Sequence, residues 1–90
     1  MIWLARVHVM PKPIVNDPQG EAILGALRSL HFETVNQVRA GKYFEIRVEV
    51  GDREAAERQV DDMCRKLLAN PVTEDYRIQV EEVPATRDTV

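Results

Sequence analysis

A single cysteine among ninety residues excludes an intrachain disulfide and any metal centre built from several thiolates. Histidine is almost as scarce: His8 and His31 fall on different elements, so neither has a second imidazole with which to share a metal. No apolar run approaches the ~20 residues that span a bilayer. Arg6 and His8 interrupt Met1 to Met10, where a secretory signal needs an unbroken apolar core. These absences lead us to expect a cytoplasmic protein without a membrane partner. Positive charge is not in excess either: 12 Lys and Arg stand against 15 Asp and Glu, a net charge of -3. That balance, with a pI near 5.3, argues against a general surface for nucleic acid or anionic lipid.

What is present is ordinary for a folded domain, with 44% hydrophobic and 30% charged residues. The sequence reads as one domain over residues 1–83 and a loose tail over 84–90. A chain this short buries only ~60–65% of its unfolded surface, so self-association as a dimer or a dimer of dimers would help it. Ile2 and Leu4, on the outer face of the first strand, are the apolar residues such an assembly would hide.

The stretch from Pro11 to Gly20 organises the pattern, because it holds three of the five prolines between an apolar segment and an amphipathic one. Asp17 precedes a proline and is pushed out of the α region, while Pro18 is preset for a first helical turn, so Asp17 is the expected N-cap. Gly20 in that first turn makes sense if another backbone or a partner chain comes close there. Before this stretch, Trp3, Ala5, Val7 and Val9 alternate as the inner face of a strand, Ile2 to Met10. After it, Ile23, Ala26, Leu27 and Leu30 recur at helical spacing and predict a core-facing helix from Pro18 to Leu30. A short strand from Thr34 to Arg39, a hairpin turn at Ala40-Gly41-Lys42 and a strand from Tyr43 to Val50 follow, with Phe44, Ile46, Val48 and Val50 inward. Asp52 caps a second helix, Arg53 to Ala69, whose apolar stripe is Ala56, Val60, Met63, Cys64, Leu67 and Leu68. Asn70-Pro71 ends it, and Tyr76, Ile78 and Val80 alternate through a last strand. The order βαββαβ predicts an α+β, ferredoxin-like fold with two helices on one face of a four-stranded antiparallel sheet.

Chemistry-bearing patterns are few. Cys64 lies on an apolar stripe with no base nearby in sequence, which reads as an inert buried thiol. Gly41-Lys42 lacks the earlier glycine of a phosphate loop and sits in a predicted hairpin rather than before a helix. The RNA-recognition module shares the βαββαβ order, but Phe44 faces inward, and Glu45 and Glu49 would repel phosphates. A free-standing regulatory module of the same shape, binding a small ligand, is the other alternative.

Three stretches carry a resemblance: Asn16-Asp17-Pro18-Gln19-Gly20, Val38-Arg39-Ala40-Gly41-Lys42, and Met63 to Val72. In this order and spacing they resemble the PurS family, the small subunit of phosphoribosylformylglycinamidine synthase, from the first strand to about Val80. Leu30-His31-Phe32 departs from the family's usual Leu-Gly-Phe, so the left-handed cap glycine is missing and the turn is expected to differ locally. Thr73 also replaces a branched apolar residue. The resemblance implies a subunit with no chemistry and no cofactor of its own. A glutaminase subunit (PurQ) releases ammonia, and a synthetase subunit (PurL), with ATP and magnesium, uses it to convert formylglycinamide ribonucleotide into formylglycinamidine ribonucleotide. The small subunit bridges the two and assists ammonia transfer. Candidate docking residues are the polar groups in loops and caps: Asn16, Asp17, Lys42 and Asn70.

Overall fold

The computed structural model describes residues 1–84; most of the expected tail, 85–90, lies outside them. Three strands, β1 (Ile2–Pro11), β2 (Lys42–Glu49) and β3 (Glu74–Val83), form an antiparallel sheet in the order β2-β1-β3. Two helices, α1 (Pro18–Ser29) and α2 (Arg53–Met63), complete the α+β chain, and α2 runs on into a π-helical turn, Cys64–Leu68. The register sets Val7 between Phe44 and Ile78, and Ala5 between Ile46 and Val80, so the alternation seen in the sequence gives one apolar face. Trp3, Ala5, Val7 and Val9 are buried on it, joined by Ala56, Val60 and Cys64 from the helical segment. Tyr76 pins α2 to β3 by donating its hydroxyl to Asp61 at 2.5 Å, which pushes the phenol pKa up to about 12.

Three expectations need correction. Thr34 to Arg39 forms no strand, so the sheet has three strands among the described residues and Ala40-Gly41-Lys42 is not a hairpin turn. The reason lies in contacts distant in sequence: Ala40 donates its N–H to the Asp17 carboxylate at 3.0 Å and Arg39 bonds the Pro11 carbonyl, which holds this segment across the end of the sheet instead of along β2. Secondly, α2 lies over β3 and β1, whereas α1 does not pack on the sheet. Of α1 only Gly20 is buried, while Ile23 and Leu30 of the expected core stripe are exposed. Thirdly, Leu67 is 82% exposed. The π-helical turn, closed by the Ala69 N–H on the Cys64 carbonyl at 2.9 Å, adds a residue to the repeat and rotates Leu67 off the stripe that Cys64 and Leu68 keep.

The Leu30-His31-Phe32 turn keeps its glycine-type geometry without the glycine. His31 has φ 73°, its N–H donates to the Arg28 carbonyl at 3.0 Å, and the Phe32 N–H donates to Leu27 at 3.1 Å. This is the double bond of a Schellman cap, with histidine in the left-handed position.

Candidate functional site

Three loops meet where β1 ends and where β2 and β3 begin. The segment after β1 is tied to the one before β3 by the Lys12 N–H on the Thr73 carbonyl, at 2.8 Å. It is tied to the segment before β2 by Asp17. This carboxylate accepts the Gly20 N–H through one oxygen and the Ala40 N–H through the other, each at 3.0 Å. Those two backbone donors hold its pKa below the ordinary aspartate value. Gly20 is required by the same contact, since a Cβ there would overlap the Val38 carbonyl and the Asp17 carboxylate. Gly41 is pressed equally hard against Val9 and Met10 at the end of β1. The close backbone approach expected at Gly20 is therefore the join between α1 and the Val38–Lys42 stretch.

An open groove of about 460 Å³ lies between the loops, with Asn16, Asp17, Gln19, Lys42, Thr73 and Glu74 on its walls. Three of the four residues singled out in the sequence thus share one groove, and the fourth stands beside it. Asn70 accepts the Val72 N–H on its side-chain oxygen at 3.0 Å, and its own N–H donates to Glu74 at 2.7 Å. Asn70 shapes the loop rather than lining the groove. Lys42 reaches the Leu68 carbonyl at 3.3 Å and the second oxygen of Glu74 at 3.6 Å. Glu74 is the residue that sequence reasoning missed, because a lone acid opening an alternating strand gives no signal of the two loops it joins. Asn16 borders both this groove and a neighbouring one lined by Leu24 and Val38.

The arrangement holds loops in place and offers polar groups, and it assembles no reactive centre. Among the described residues no three potential ligands come together to hold a metal. Cys64 is fully buried with its thiol pKa pushed up by desolvation, the reverse of an activated nucleophile. No helix among the described residues is long and apolar enough to cross a membrane. Fold and site together define a small α+β protein whose three loops meet at one polar groove at the end of its sheet. The chain belongs to the PurS family, described as phosphoribosylformylglycinamidine (FGAM) synthase, whose family model matches residues 4–82. It is 48% identical over 84 residues to the synthase subunit PurS of Bacillus subtilis, covering 93% of this chain and 99% of that protein. The Archaeoglobus fulgidus subunit PurS is 49% identical over 75 residues, 83% of this chain and 94% of that one. The solved B. subtilis PurS structure superposes with a TM-score of 0.81, covering 89% of this chain and 99% of that one. A chain in the structure of PurLQS from Thermotoga maritima superposes with a TM-score of 0.83 at 32% identity, covering 90% of this chain and 99% of that one.

Proposed function

We propose that this chain is the non-catalytic PurS subunit of a phosphoribosylformylglycinamidine synthase in purine biosynthesis, acting as one domain over residues 1–83. It bridges the glutaminase (PurQ) and synthetase (PurL) subunits and assists the transfer of ammonia. ATP and magnesium belong to the synthetase, and the complex is cytoplasmic, without nucleic acid or membrane. The observation that carries this reading is that two of the family stretches, Asn16 to Gly20 and Val38 to Lys42, meet at one groove at the end of the sheet, and that Lys42 ties the third to it through the Leu68 carbonyl. There Asn16 and Lys42 present polar groups to a partner, while Asp17 and Asn70 set the loops that display them. The subunit self-associates as a dimer or a dimer of dimers. Support comes from the radius of gyration, 16.9 Å against about 12 Å for a compact domain of this length.

The test is co-purification of the tagged chain with the synthetase and glutaminase of the same organism. Both are expected to be retained. Retention of neither, together with tight binding of a metabolite, would replace this reading with that of a free-standing regulatory module.

A further inference from the structure

Three apolar side chains stand out from the end of the sheet where the loops meet. Ile14 is 94% exposed, Leu67 82% and Val72 77%. Each is carried on a turn that hydrogen bonds hold in place. Ile14 follows Pro13 in a turn closed by the Val15 N–H on the Lys12 carbonyl at 2.9 Å. Val72 follows Pro71 in a turn closed by the Thr73 N–H on the Asn70 carbonyl at 3.1 Å, and its own N–H is taken by the Asn70 side chain at 3.0 Å. Leu67 is turned outward by the π-helical turn, whose last carbonyl, on Leu68, accepts from Lys42. The Lys12 N–H on the Thr73 carbonyl joins the first two turns, so these tips are set by the strands they flank.

The same stretches have no spare charge. Lys12 pairs with Asp75 at 2.8 Å, Lys66 with Asp62 at 2.9 Å, Arg65 with Asp61 at 3.1 Å and Glu74 with Lys42 at 3.6 Å. The Asp17 carboxylate is taken up by the Gly20 and Ala40 N–H groups. Every charged side chain of residues 12–17, 64–68 and 70–75 thus has its partner inside the chain. We propose that Ile14, Leu67 and Val72 form an apolar contact surface for a partner protein that offers an uncharged, apolar recess. This deepens the bridging role proposed above and rests on it. Apolar tips on fixed turns lose little freedom on binding, and charges already paired leave none to attract an oppositely charged surface. A second copy does not supply the recess at this end, because the groove beside the tips is walled by Asn16, Gln19, Lys42, Thr73 and Glu74, and polar walls do not receive apolar tips.

The experiment titrates the full chain against the synthetase and against the glutaminase, as wild type and with Leu67→Asp and Val72→Asp together. The double variant is expected to weaken one of the two complexes about a hundredfold, with the melting temperature and oligomeric size of the free chain unchanged, since both positions face solvent. Ile14→Asp alone is expected to weaken the same complex. If the aspartates lower the melting temperature, Leu67→Ser with Val72→Ser is the substitute, with an expected loss of about tenfold or more at the same partner. Wild-type affinity at that partner is expected to change less than about threefold between about 0.05 M and about 0.5 M sodium chloride. Unchanged affinity for both partners in the variants, or a loss of about tenfold or more from salt alone in the wild type, overturns the apolar contact and leaves the bridging role standing. A change in oligomeric size assigns the tips to a contact between copies and overturns it too. A wild-type chain that binds neither subunit overturns the bridging role and this contact with it.

Discussion

Asp17 is read from sequence as a helix cap, and in the fold it does that and more. Its two oxygens each receive a backbone N–H, from Gly20 and from Ala40, 23 residues further along the chain. Asparagine is about as good an N-cap as aspartate, so the sequence alone implies that Asp17→Asn is nearly neutral. With both oxygens in use it is not neutral: the amide has one accepting oxygen and turns its own N–H groups toward the second donor. Asp17→Asn is therefore expected to lower the melting temperature by several degrees. Affinity for the synthetase is expected to fall with it, as Ala40 to Lys42 shift. A drop in affinity at an unchanged melting temperature would instead mean that the charge itself meets the partner. The same substitution alters the response to acid. The folded pKa is lowered below 3.8, so the stabilisation is present above that ordinary value and is lost as pH falls through the folded one. Melting curves collected from pH 6 downward should show a shallower acid loss in the asparagine variant.

At the scale of elements, the sequence announces those whose boundaries are local. Asp17-Pro18 starts α1, Asp52 accepts the Ala55 N–H at 2.8 Å and starts α2, and strict alternation from Tyr43 gives β2 its faces. Thr34 to Arg39 is illegible because its conformation is decided by Asp17 and Pro11, which no short-range pattern connects to it. Leu67 is illegible for a different reason, since the π-helical turn at Cys64–Leu68 moves it and leaves the apolar count unchanged. The groove itself was half legible. Asn16 and Asp17 are marked by the cap and the turn before it and Lys42 only by a hairpin that does not form, whereas Glu74 acquires its role only when two loops meet. The end of α1 offers a clean test of element energetics. His31 occupies the left-handed position with both Schellman bonds formed, so glycine there relieves backbone strain without removing a contact. His31→Gly should raise stability by about 1 kcal/mol, read from denaturant midpoints at constant slope. A loss of stability would mean that the imidazole makes a contact worth more than the strain.

On the scale of the molecule, the chain combines a sheet covered on half of one face with a set of loops fixed to one another at its end. Lys12 with Asp75 and Lys42 with Glu74 pair charges around that end within the chain itself. Such exposed pairs are worth little for stability, and their service is to hold loops in one arrangement before a partner arrives. On the proposed reading, the chain acts on the reaction through the partners it positions. Delivery of ammonia and activation of the synthetase are two contributions that activity alone would merge. With synthetase and glutaminase both present, removing this chain should abolish turnover driven by glutamine, whereas turnover by the synthetase supplied with concentrated free ammonia should largely persist. The comparison is run with ATP, magnesium and formylglycinamide ribonucleotide held constant, scoring formation of formylglycinamidine ribonucleotide. Equal loss with both nitrogen sources would place the role of the chain in activating the synthetase. Equal activity without the chain, on glutamine as on ammonia, would remove it from the reaction altogether.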